Sequence, residues 1–178
     1  MHTETLAVVV TAALATSLAG CASQSIAPPP AMAQNLKAPS DQTLSLATNA
    51  RGVQIYECGR SKADPARLEW VFKAPEADLT DGAGKKLGTH YAGPTWEAND
   101  GSKVVGEVKA RDDGPDSNAI PWLLLGAKSN SGAGAFGRTR LIQRVNTVGG
   151  KAPATACERA GQELRVPYTA VYYFYSPR

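Results

Sequence analysis

From residue 51 onward the chain alternates apolar and polar positions with a period of two, the signature of half-buried strands. Val53 and Ile55 face one way, and Gln54, Tyr56 and Cys58 the other. Leu68, Trp70 and Phe72 alternate with Glu69, Val71 and Lys73. Trp96-Glu97-Ala98 runs into Asn99-Asp100-Gly101-Ser102, a strong hairpin-turn signal. The returning strand sets Val104, Gly106, Val108 and Ala110 against Lys103, Val105, Glu107 and Lys109. Further strands are predicted over 121–127, 138–147 and 167–175. Helical periodicity is scarce, and only 75–80 and 155–161 are expected to form single helical turns. Short strands separated by Gly and Pro turns predict one all-β domain, either an antiparallel β-sandwich or a small β-barrel. The last strand, Tyr168 to Tyr175, is apolar on both faces and is expected to be covered on both.

The N-terminal pattern is different. Residues 6–19 (LAVVVTAALATSLA) are apolar or small and carry no charge. The stretch is too short to span a bilayer, which takes about 20 apolar residues, but it suits the apolar region of a signal peptide. It closes on Leu18-Ala19-Gly20-Cys21, which reads as a lipobox with Cys21 as the lipid-bearing thiol. The Met1–Thr5 start departs from a usual signal peptide, because it has no Lys or Arg and carries Glu4. The expected organisation is a signal peptide over 1–20, a lipidated N-terminus and flexible tether over 21–50, and a β-rich domain over 51–178. The tether is rich in Ala, Ser, Pro, Gln and Asn around Pro28-Pro29-Pro30, and would span ~30 Å as a coil or ~90 Å fully extended. Its later part, with Leu36, Leu44 and Leu46, is a candidate to dock on the domain. The expected location is the cell envelope, as a periplasm-facing lipoprotein held by its Cys21 lipid. Ala22 is not an inner-membrane retention signal, which favours the outer membrane.

Composition refines this picture in two ways. The chain of 178 residues has 19 basic and 16 acidic side chains, a mild positive balance that does not point to nucleic acid. Three cysteines are an odd number for an exported chain. Lipidation of Cys21 leaves Cys58 and Cys157, which could pair in an oxidising compartment or stay as two buried thiols.

The densest candidate chemistry is His90-Tyr91-Ala92-Gly93-Pro94-Thr95-Trp96-Glu97. His90 titrates near neutrality, and Glu97 could orient it after the chain turns at Gly93-Pro94. A lone His without a spaced Cys or acid makes a poor metal site, so no metal is assigned. Gly132-Ala133-Gly134-Ala135-Phe136-Gly137 spells GxGxxG, but residues 138–145 read as a strand rather than the helix a dinucleotide needs. The GxGxxG segment is read as a flexible hairpin loop, and no cofactor is expected. Arg138, Arg140 and Arg144 fall on one face of the following strand, expected to be solvated or to meet an anionic envelope polymer.

Several of these segments together are similar to a family of exported bacterial and fungal proteins catalogued as domain of unknown function 3455. They are Gly52 to Cys58, Trp70 with Phe72 to Ala77, His90 to Glu97, Asp100-Gly101-Ser102 and Ile120 to Leu125. Ile142 to Val145, Gly149-Gly150 through Cys157 and Val166 to Ala170 complete the resemblance. It covers roughly residues 36–178 and brings no activity and no catalytic residues. It implies that Cys58 and Cys157 are the two recurrent cysteines, which supports their disulfide.

The functional expectation is an envelope module that binds a small molecule or polymer or serves structurally. His90, Tyr91, Trp96, Glu97 and Trp122 are the candidate pocket. The alternative is a secreted-type hydrolase working through His90 with Glu97.

Overall fold

The computed structural model describes residues 26–178. Cys21 and the 1–20 segment lie outside the described residues. The chain forms eight strands: β1 Gln42–Arg60, β2 Leu68–Thr80, β3 Lys86–Tyr91, β4 Thr95–Ala98, β5 Lys103–Asp112, β6 Trp122–Ser131, β7 Leu141–Gly149 and β8 Glu163–Pro177. Each pairs antiparallel with the next, and β8 pairs back onto β1. The expected all-β domain is therefore a closed up-and-down barrel. Closure removes edges except where the short β3 and β4 leave stretches of β2 and β5 unpaired.

The period of two decides what fills the barrel. Ala50, Ala77, Leu79, Trp96, Val104, Leu125, Ile142, Tyr172 and Phe174 point inward and form one core. On β8 the other parity, Tyr173 and Tyr175, points outward yet stays buried. A strap formed by the residues before β1 covers it, with Leu36, fully buried, on a 3₁₀ turn at Gln34–Leu36. Gln143 on β7 clamps the strap by donating to the Leu36 carbonyl at 2.7 Å while accepting from Tyr175 Oη. Both faces of the last strand are thus covered, as its pattern predicts.

The structure differs from the sequence reading at several points. The domain begins before residue 51: β1 starts at Gln42, and the strap docks ahead of it. Residues 75–80 continue β2 instead of forming a helical turn, because the long β1 demands a partner through Asn49–Thr80. Pro75 is tolerated there because β2 has no second neighbour until Ala77 meets His90 on β3. Residues 155–161 form no helical turn either. They are held as a loop by the Cys58–Cys157 disulfide and by backbone bonds that link Cys58 to Gly161 and Gln162.

The 138–147 strand begins only at Leu141, because the GxGxxG loop folds over one end of the barrel. Its Phe136 is fully buried and packs on Phe174 at 4.6 Å between ring centres. Asp100 accepts from the Ala135 N–H, Ser102 Oγ from the Phe136 N–H, and Asn130 donates to the Phe136 carbonyl. The loop is a stopper rather than a free hairpin. Arg138 and Arg140 fall in it, while Arg144 sits on β7 with the inward parity of Ile142. The three arginines share no face.

Candidate functional site

With one end stopped by Phe136, the space left inside lies toward the other end. It is a cavity of about 540 Å³, within the usual range of small-molecule sites. Its shape follows from strand lengths. β3 and β4 have only 6 and 4 residues, so Phe72–Pro75 of β2 and Val108–Arg111 of β5 face each other across a gap in the wall. The cavity opens there, edged by Phe72 and Val108, each more than half exposed. Gly93-Pro94 of the β3–β4 turn form the sill.

The walls are apolar. Leu123, Leu125 and Ile120 face the aromatic group of His90, Trp96 and Tyr172. His90 stacks on Trp96 with ring centres 4.3 Å apart, and Tyr172 meets both rings edge-on. Gly106 makes room for the Trp96 ring, since a Cβ there would stand 3.0 Å from it.

His90 is buried, and its Nδ1 donates to the Thr95 carbonyl at 2.8 Å. Burial outweighs that bond and lowers its pKa to about 3, so the ring is neutral near pH 7. Three further buried polar atoms, Tyr172 Oη, Tyr168 Oη and Gln54 Nε2, have no partner at hydrogen-bonding geometry. Burial raises the pKa of both tyrosines, so each keeps its O–H to donate.

The lining contains four cations, Lys73, Arg111, Arg144 and Lys151, and no carboxylate. Two of them have outside partners: Lys73 pairs with Glu57 and Glu163, and Arg111 with Asp113. Lys151 bonds the Ser117 carbonyl. Arg144 is the inward one, in register with Tyr172 on one side and Leu123 on the other. Its Nε and one Nη donate to the Pro121 carbonyl at 3.1 and 2.9 Å. Among the described residues no carboxylate pairs with it.

Of the sequence-derived pocket, the structure brings together His90 and Trp96. Tyr91 and Glu97 are their strand neighbours and so face outward. Tyr91 Oη donates to Glu97 at 2.6 Å, and Lys103 pairs with the same carboxylate at 3.1 Å. The Tyr91 hydroxyl and Lys103 hold the Glu97 pKa below the usual carboxylate range. The pleat therefore keeps His90 and Glu97 on opposite faces, so the two form no dyad. Trp122 is buried on the outer face beneath the strap, away from the cavity. Cys58 and Cys157 do form the disulfide, with Cα atoms 5.8 Å apart. Among the described residues no cluster of three His, Cys, Asp or Glu could hold a metal.

Sequence reasoning missed Arg144, Tyr172 and Gln54. Parity was the signal available: Arg144 is two residues from Ile142, and Tyr172 two from Phe174.

The family described as protein of unknown function (DUF3455) matches residues 39–176, which takes in all eight strands apart from the last residue of β8. No curated protein and no solved structure matches the chain.

Proposed function

We propose, from the premise that the chain belongs to the DUF3455 family, that this barrel is a binding module whose open end takes a small, largely apolar ligand. The observation that carries the reading is the cavity itself. A packed eight-stranded barrel fills its interior with side chains. Here Phe136 stops one end, and the other keeps about 540 Å³ of space lined by buried donors without a partner at hydrogen-bonding geometry. Such donors cost about 1–3 kcal/mol each when left unmade, so a site that keeps them is built for something that accepts. The neutral, low-pKa His90 acts as wall and not as base.

The test is uptake of a neutral, environment-sensitive dye such as N-phenyl-1-naphthylamine. Saturable one-to-one binding to the wild type is expected, with at least tenfold weaker binding to Leu123→Trp, whose indole fills the cavity. Failure of the folded wild type to bind the dye, or equal binding by the variant, overturns the reading.

The module is further proposed to work in the cell envelope, tethered by a lipid on Cys21, with the outer membrane as its site. The lipobox pattern before Cys21 and the Pro-rich stretch leading to the strap support this. Cys21→Ala is expected to release the protein from membranes or leave it unprocessed. A variant that still fractionates with membranes as processed, lipid-labelled protein contradicts the anchor.

A further inference from the structure

We propose that the ligand of this cavity is an organic monoacid, with its carboxylate seated on Arg144 and its apolar body, of about two fused rings, lying between Leu123, Leu125 and Trp96. The inference rests on the reading of the cavity as a binding site and adds the chemistry of the ligand.

Three observations carry it. First, the buried lining atoms without a partner at hydrogen-bonding geometry, Tyr172 Oη, Gln54 Nε2 and Trp96 Nε1, can each donate. Tyr172 and Gln54 are each at least 98% buried. A group that only accepts satisfies all three, and an ionised carboxylate is such a group. Second, Arg144 keeps a permanent charge inside a wall of apolar side chains with no carboxylate in the lining. A charge held in such a place calls for an opposite one. Third, the cations at the rim are already engaged, Lys73 and Arg111 by carboxylates and Lys151 by a carbonyl. One free guanidinium balances one negative charge, and a dianion would bury a second without compensation. The planar guanidinium fork also matches a carboxylate in shape.

The experiment compares 2-naphthoate with its neutral isostere 2-naphthamide by displacement of the neutral dye from the full-length protein. The wild type is expected to bind the acid at least tenfold more tightly than the amide. Arg144→Gln is expected to abolish that preference, with the dye affinity of each variant measured first so that acid and amide are compared on one scale, and Lys151→Ala is expected to keep it. Equal binding of acid and amide by the wild type overturns the proposal without need of any variant. So does a preference that survives in Arg144→Gln or disappears in Lys151→Ala, which would place the anion at the rim. If the dye itself does not bind the wild type, the binding-site reading fails first and the two failures are told apart.

Discussion

Replacing Cys58 and Cys157 with serine is expected to lower the unfolding free energy by about 4–5 kcal/mol, the chain-entropy value for a closed loop of about 100 residues. The bridge joins positions 99 residues apart, near the end of β1 and in the β7–β8 loop. It thus spans nearly the whole barrel, which is why its loss acts mainly by freeing the unfolded chain. The native cost is local. Cys58 also exchanges backbone bonds with Gly161 and Gln162, so the loop keeps two fastenings when the sulfurs part. Folding should therefore persist, with a Tm lower by roughly 10 °C or more. Urea unfolding of the double variant checks this. A loss below about 1 kcal/mol, or two free thiols on alkylation of the non-reduced wild type, contradicts it.

Acid is expected to destabilise the protein through His90 by about 4 kcal/mol between pH 6.5 and 3. Burial among Trp96 and Tyr172 and the nearby Arg144 charge oppose a proton on the ring, which stays neutral down to about pH 3. In the unfolded chain the same ring protonates near pH 6.5. Over that window the unfolded state binds the proton that the native state refuses. The stabilisation is complete above pH 6.5, falls as the pH drops, and levels off below 3. Measured as unfolding free energy against pH, His90→Gln should run flatter than the wild type by up to about 1.4 kcal/mol per pH unit within the window. Parallel curves between pH 4 and 6 would show that the ring is not held neutral. Carboxylates with lowered pKa values, among them Glu97 and Asp100, are present in both proteins and cancel in the comparison.

The strands were legible because alternation is a local property. Val104 to Ala110 and Tyr168 to Tyr175 carry their pleat in their own residues. The closure was not. It depends on β1 meeting β8 through pairs such as Ala50–Ala170, more than a hundred positions apart, and no local pattern encodes that. Hence sandwich and barrel stayed equal alternatives. The boundary at residue 50 was missed for the same reason, since Gln42–Asn49 owes its strand to β8 rather than to its own modest alternation.

The site was half legible. His90 and Trp96 stood out as rare residues in a dense motif, and both line the cavity. Tyr91 and Glu97 belong to the same motif but to the opposite parity, and parity prevails over nearness in a strand. Trp122 is inward by composition and outward by position, a reversal possible only because the strap covers it. Arg144 reads in sequence as a solvated charge beside Arg138 and Arg140. Its parity with Ile142 pointed inside, against the general rule that arginine stays out.

The central claim is that the barrel holds its ligand inside, and the indole N–H signals of the three tryptophans test it most directly. Trp96 lines the cavity with its Nε1 buried and unpartnered, Trp122 lies under the strap, and Trp70 stands on β2 beyond the cavity lining. Titration of ¹⁵N-labelled protein with the neutral dye should move the Trp96 resonance to saturation at one equivalent and leave the other two in place. Dye binding that shifts Trp122 or Trp70 while Trp96 stays fixed would put the ligand on the outside of the barrel and contradict the account.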